Sequence, residues 1–206
     1  MTTNNQRIVD YLNELLPNVG CELLYRKDYE LLIAVVLSAQ TTDKSVNAVT
    51  PKLWERYPSI EALANADLKD VEEIIHSIGL YKNKAKNIIL IAKELVGKYD
   101  GKVPYEKEIL INLPGVGNKT ASVTRLELFK EEEFPVDTHV ARISKRLHLA
   151  KQNDDVLVIE KKLKKAFPSS IWGKLHHQFI HFGRYYCLAR SPKCENCKIS
   201  DICNKK

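Results

Sequence analysis

The sequence predicts an all-α fold, and three observations carry that prediction. Between Lys82 and Tyr99, apolar residues fall at 85, 88, 89, 92, 95 and 96, the spacing of one helix face. Capping residues (Asp28, Ser59, Asp67 and Asp137) recur just ahead of such stretches. No segment alternates apolar and polar residues over a useful length, so no strand is expected.

The elements follow in chain order. Asp10 to Leu16 reads as a short amphipathic helix stopped by Pro17. Asp28 can cap a helix through Leu31 to Gln40; it is apolar nearly all round, so it belongs at the centre of a core. Residues 44–56 contain Thr50-Pro51, which predicts a break and a fresh helix start. Ser59 and Asp67 cap helices over 60–65 and 68–77, the second ended by Gly79. The long helix 82–99 stops at Asp100-Gly101. Helices 105–112 and 118–129 flank a glycine-containing turn. Asp137 caps 138–149, Asp154 or Asp155 caps 156–166, and Ser170 opens a helix reaching about Tyr186. Glu131-Glu132-Glu133 reads as a solvated connection between two helical lobes.

Length and composition narrow the function classes. A chain of 206 residues with 44% hydrophobic residues has room for one or two small domains with a real core. No repeat or low-complexity tract is present. The first twenty residues lack the apolar stretch of a secretory signal, and the longest apolar run, Leu31 to Leu37, is too short to span a bilayer. The expected setting is therefore the cytoplasm, with no membrane partner. The net charge of +6 is uneven: residues 141–206 hold 15 Lys/Arg against 5 Asp/Glu, whereas residues 1–140 hold 17 against 21. A basic C-terminal third points to a polyanion.

Two motifs carry chemistry. In Leu113-Pro114-Gly115-Val116-Gly117, proline starts a turn and the glycines permit backbone angles and close approaches closed to other residues. The turn runs into a helix start holding Asn118, Lys119 and Thr120. Orphan N–H groups and the positive end of the helix dipole make such a place an anion site. Val136-Asp137-Thr138-His139 then sets a carboxylate just before the next helix. The second motif is Cys187, Cys194, Cys197 and Cys203, spaced C-x6-C-x2-C-x5-C in a polar stretch. Disulfides do not suit a cytoplasmic helical chain. The spacing leaves open a four-cysteine zinc site, although structural zinc commonly uses two short knuckles, and a [4Fe–4S] cluster, whose larger body longer spacings accommodate. Cys21 stands apart, a buried or free thiol.

These segments together resemble the endonuclease III family of DNA glycosylases and abasic-site lyases, in the helix–hairpin–helix superfamily. The likeness is carried by LLIAVVLSAQTTDKSVN (31–47), IGLYKNKAKNI (78–88), LPGVGNKTA (113–121), VDTHVARISKRL (136–147), HHQFIHFGRYYC (176–187) and the cysteine spacing. The resemblance implies a six-helix barrel over 22–131, with the helix–hairpin–helix motif at about 105–128. It also implies a discontinuous second lobe from 1–21 and 132–206, with a loop at 187–203 whose four cysteines hold one structural [4Fe–4S] cluster. It implies excision of oxidised pyrimidines from double-stranded DNA by a monomer, followed by cleavage at the abasic site.

The site residues follow from the same likeness. Lys119 is the amine that attacks the sugar C1′, and Asp137 accepts its proton or stabilises charge developing on the sugar. Attack needs a neutral amine, which a helix N-terminus and partial desolvation favour. The same lysine could instead simply meet a phosphate, and Asp137 could be a plain N-cap. Leu113, Gly115, Val116, Gly117 and Thr120 grip one phosphate strand. Gln40 and Leu80 fill the gap left by a flipped nucleotide; without the likeness, Leu80 reads as core and Gln40 as a surface amide. Ser38, Asp43 and His139 line the pocket. Arg184, Arg190 and Lys193 present cations to phosphates. One segment departs from the family pattern: TRLELFKEEEF (124–134) sets Arg125 and Glu127 in a helix expected to be partly buried, where an unpaired charge costs several kilocalories per mole.

Two rivals stand beside this reading. One is a monofunctional mismatch or adenine glycosylase of the same fold, disfavoured because IAVVLSAQ contains no acid and Lys119 is present. The other is a non-enzymatic helix–hairpin–helix DNA-binding iron–sulfur protein.

Overall fold

The computed structural model describes residues 1–204, and among them every regular element is helical. The helices run α1 (Thr3–Leu15), α2 (Asp28–Leu37), α3 (Asp43–Arg56), α4 (Ile60–Ala64), α5 (Leu68–Ile75), α6 (Tyr81–Tyr99), α7 (Lys107–Asn112), α8 (Asn118–Phe129), α9 (Thr138–Arg146), α10 (Val156–Ala166) and α11 (Trp172–Tyr185), with three single 3₁₀ turns. The chain divides into two compact units, Glu22–Phe129 and the combination of Met1–Cys21 with the chain from Lys130 onward. No described helix is long and apolar enough to cross a membrane.

In the unit Glu22–Phe129, α2 is the centre. Every residue from Tyr29 to Leu37 is buried, as its apolar circumference requires. It packs on α3, α6 and α8, while α4 and α5 cover other stretches of α6. The buried carboxylate of Glu30 accepts the Arg26 amide at 2.8 Å and the N-cap Lys27 amide at 3.4 Å, which ties the incoming chain to the helix start. The predicted cap, Asp28, lies instead one residue inside the helix, and the helix stops at Leu37 rather than Gln40.

The other unit builds its core from α1, α9, α10 and α11, with Ile8, Leu12, Phe134, Ile143, Leu163 and Phe179 fully or almost fully buried. Its first helix is longer than expected. Thr2 accepts the Asn5 amide and starts α1 seven residues ahead of Asp10, so that Ile8 and Val9 join the core. Buried Gln178 ties the end of α1 to α11, donating to the Leu12 and Leu16 carbonyls, both at 3.1 Å.

Other expectations are corrected. Pro51 does not break α3, which runs unbroken from Asp43 to Arg56. Val46, Val49, Thr50 and Leu53 are buried on both sides of the proline, and that packing outweighs the missing hydrogen bond. The glutamate run is not a solvated connection throughout. Glu133 is buried beside Lys164, at 3.4 Å, and Glu132 accepts the Ser169 hydroxyl at 2.7 Å. Helix α9 stops at Arg146, three residues short of the expected end, and Ser170 falls within a 3₁₀ turn ahead of α11. Arg125 is accommodated by its guanidinium lying 5.3 Å from the Tyr105 ring centroid, a cation–π contact; Glu127 is buried.

Candidate functional site

The hairpin between α7 and α8 is built as its sequence demands. Leu113 and Val116 turn inward and are buried, and the Val116 amide closes the turn on the Leu113 carbonyl at 3.1 Å. Gly115 has φ +76, and a Cβ there would collide with the Asn87 side chain of α6. The positive φ is what calls for glycine at 115; the Asn87 amide, at the end of a flexible side chain, could swing away from an added Cβ. Gly117 is different: its φ is ordinary, and a Cβ would meet open space. The expected backbone constraint at 117 is absent; what the position offers is an open approach to the first amides of α8. Thr120 is half-buried on the first turn of α8, and Lys119 beside it is exposed. The partial desolvation expected of Lys119 is thus not provided by the protein surface.

Two neighbouring segments of the same unit hold non-glycine residues in the left-handed region: Gln40 at φ 54 and Leu80 at φ 59. Both are exposed, Leu80 by 58%. The reading of Leu80 as a core residue is overturned. Leu80 thus presents an exposed side chain from a backbone conformation that costs about 1–3 kcal/mol. Gln40 sits in a turn closed by the Thr41 amide on the Ser38 carbonyl at 3.0 Å. Ser38 ends α2 with its hydroxyl donating to the Val35 carbonyl at 2.9 Å, and half-buried Asp43 opens α3.

In the other unit, Asp137 is the N-cap of α9 and is half-buried; its Oδ1 accepts the Val140 amide at 2.8 Å, leaving Oδ2 outside that bond. Arg142 Nη2 donates to His139 Nδ1 at 3.2 Å and to the Gly183 carbonyl at 2.8 Å. Guanidinium only donates, so in this bond Nδ1 is the acceptor. Burial first, and the nearby Arg142 and Arg184 after it, push the His139 pKa below its ordinary value; Asp137 opposes them. His139 is thus held beside the carboxylate with a lowered pKa. Gly183 of α11 lies against α9 here, and a Cβ would meet His139 Cβ at 3.0 Å and Arg142 Nη2 at 3.1 Å.

The four cysteines form no disulfide, and all four line one cavity of about 160 Å³ together with Tyr11 and Arg146. Arg146 Nη1 donates to the Cys187 sulfur at 3.1 Å and to the Leu188 carbonyl at 2.7 Å, and Nη2 to the Ala189 carbonyl at 3.0 Å. A zinc site would draw four sulfurs to about 2.3 Å from one point. Here the four cysteines border one shared cavity. Four soft thiols around one shared space, with an N–H directed at one sulfur, suit an iron–sulfur cluster. Two ion pairs anchor the loop to α1: Arg7 to Asp201, at 2.8 Å, and Lys198 to Glu14. The Lys193 ammonium lies 5.7 Å from the Tyr186 ring centroid; Arg190 is exposed and Arg184 half-buried.

Three residues escaped sequence reasoning. Arg146 reads as an ordinary cation in the last turn of a helix. Gly183 carries no turn signal because it sits within α11. Lys84 is the third, a buried lysine whose Nζ donates to Thr41 Oγ1 at 2.7 Å. Its place four residues before Ile88, on the apolar stripe of α6, was the available signal.

The sequence matches the family described as HhH-GPD superfamily base excision DNA repair protein over residues 33–169, and the iron–sulfur binding domain of endonuclease III over 187–203. Endonuclease III of Bacillus subtilis (strain 168) is 42% identical over 197 residues, covering 96% of this chain and 90% of the relative. A solved non-covalent endonuclease III–DNA complex superposes with a TM-score of 0.94 at 45% identity, covering 99% of this chain and 96% of that one. A trapped endonuclease III–DNA covalent intermediate superposes with a TM-score of 0.93 at 45% identity, covering 99% and 97%.

Proposed function

The chain belongs to the endonuclease III family of base excision DNA repair proteins, and from that premise we propose that it is a bifunctional DNA glycosylase and abasic-site lyase acting on oxidised pyrimidines in double-stranded DNA. The observation that carries this reading is the covalent protein–DNA intermediate trapped in a structure that this chain matches over 99% of its length. Its cofactor is one iron–sulfur cluster. Cys187, Cys194, Cys197 and Cys203 would hold it, and bound there it supplies a structural cross-link. Arg146 fixes the backbone of that loop through three carbonyl bonds, to Cys187, Leu188 and Ala189.

In the reaction, Lys119 Nζ attacks C1′ as the bond to the base breaks, and the base leaves with the electron pair of that bond. Asp137 takes the proton from the amine. The C1′–O4′ bond of the resulting aminal then breaks, and O4′ takes its electron pair and the proton held by Asp137, which opens the sugar and leaves a protonated Schiff base; this makes the C2′ proton acidic, its loss expels the 3′ phosphate by β-elimination, and water releases Lys119. The Asp137 carboxylate is preset for its part, since the Val140 amide orients one oxygen and leaves the other for proton transfer. Lys119 is exposed in the protein alone, so the desolvation that favours a neutral amine comes from DNA covering it. The hairpin from Leu113 to Thr120 offers backbone amides to phosphates. Gln40 and Leu80 enter the stack as the damaged nucleotide leaves it, Ser38, Asp43 and His139 border that nucleotide, and Arg184, Arg190 and Lys193 meet the backbone. The protein works as a monomer, in the cytoplasm, where chromosomal DNA lies.

Borohydride trapping on a duplex with one oxidised thymine tests this. Wild type gives a covalent band and base release, and Lys119→Ala gives no band. Trapping by Lys119→Ala at the wild-type level would overturn the role of Lys119; alkali-labile cleavage without any band would overturn the lyase.

A further inference from the structure

Lys84 is the buried cation that the reaction above does not use. Its side chain is only 5% exposed, and burial pushes its pKa below the ordinary value. A lysine held in an apolar helix stripe without a carboxylate partner is unfavourable for stability alone. Its bonds show what the position does. The Lys84 amide donates to the Leu80 carbonyl at 3.1 Å, the first backbone bond of α6. The ammonium donates to Thr41 Oγ1 at 2.7 Å. The Thr41 amide in turn closes on the Ser38 carbonyl at 3.0 Å. One residue therefore ties together the two exposed turns of this unit in which Gln40 and Leu80 hold left-handed backbone.

We infer that Lys84 is a positioning residue that locks the Gln40 and Leu80 turns into one rigid wedge through Thr41, so that both side chains enter the duplex as a unit. The inference rests on the role proposed above for Gln40 and Leu80. Each left-handed turn is strained and persists only where its surroundings over-determine it. A bond between the two supplies that constraint. Without it the loop at 38–42 relaxes independently of the α6 start, and the two side chains no longer present a fixed spacing to the base stack. A displacement of this kind is enough to slow a positioned reaction by one to two orders of magnitude.

The test measures single-turnover base excision on duplex and on single-stranded DNA carrying the same lesion, together with the fluorescence of a 2-aminopurine placed beside it. The variants are Lys84→Met, Lys84→Arg, Thr41→Val, Thr41→Ser, Gln40→Ala and Leu80→Ala, with Lys93→Met as a control for removing one charge from an exposed position on α6. Thermal melts monitor folding. The duplex-to-single-strand rate ratio and the fluorescence gain should fall by about tenfold in Lys84→Met and Thr41→Val. Thr41→Ser, which keeps the hydroxyl, should restore both, a rescue that a packing defect would not show. Loss of the ratio in Leu80→Ala and Gln40→Ala but not in Lys84→Met or Thr41→Val overturns the coupling and leaves the wedge reading intact. An unchanged ratio in Leu80→Ala and Gln40→Ala overturns the wedge reading and the coupling with it. A loss in Lys84→Met that Thr41→Val does not share also overturns the coupling, since it would act by another route.

Discussion

At the scale of single residues, the chemistry depends on side chains whose state is set by their immediate neighbours. Asp137 was legible as the N-cap of α9 and Lys119 as a residue of the first turn of α8, because a cap position and a glycine-opened helix start are local signals. His139 was legible as a neighbour of Asp137, but its protonation state was not, because Arg142 and Gly183 arrive from sequence positions that no local pattern links to it. That state has a measurable consequence. The folded protein holds His139 below its ordinary pKa, so the unfolded chain accepts a proton that the folded chain refuses. Stability is fully present above the unfolded value near 6.5 and is lost as pH falls from there through the folded value. Thermal melts between about pH 7.5 and about pH 5.5 should show wild type losing stability on acidification, and His139→Gln losing less over that range. Equal slopes for the two proteins would remove His139 as the cause.

At the scale of elements, helices with strong caps and stripes fell where the sequence put them, whereas elements governed by packing did not. The unbroken α3 is the instructive case: Pro51 removes a hydrogen bond locally, but buried Val49, Thr50 and Leu53 hold the axis through it. The missing three residues at the end of α9 have a local cause: His148 takes left-handed backbone at φ 58, and the Leu149 amide closes back on the Ser144 carbonyl at 2.9 Å. The close approach of α11 to α9 is invisible in the sequence, because Gly183 looks like an unfavourable helix residue. Replacing it with alanine improves helix propensity by up to about 1 kcal/mol but inserts a methyl 3.0 Å from His139 Cβ, and overpacking of that kind costs about 1–3 kcal/mol. The balance predicts that Gly183→Ala lowers the melting temperature despite the propensity gain. It also predicts slower base excision, because α9 carries Asp137 at its first turn. A melting temperature at or above wild type would mean that α9 yields without strain.

At the scale of the whole molecule, the charge asymmetry gave the clearest early clue to a polyanion, and it remains the feature with the broadest reach. The family and most of the fold were readable from contiguous motifs. The bonds joining distant turns, Lys84 to Thr41 above all, were not, because the place of Lys84 on the apolar stripe of α6 marks its burial but not the partner 43 positions away. The positive excess lies after residue 140, where Arg190 is exposed and Lys193 sits near the ring of Tyr186. Cations that meet phosphates release condensed counterions, so each contact adds about 0.9 to the slope of log affinity against log salt. If Arg190 and Lys193 each meet one phosphate, the double variant Arg190→Ala/Lys193→Ala should bind undamaged duplex with a slope shallower by roughly two. The loss should be uniform across sequences, because such contacts position the protein and read no base. The Tyr186 contact should make the two contributions unequal: a ring face already holds the Lys193 ammonium in place, so its phosphate contact requires less ordering than that of Arg190. Titrations of the two single variants at several salt concentrations separate the terms. An unchanged slope in both would place the phosphate contacts on other cations of the basic third.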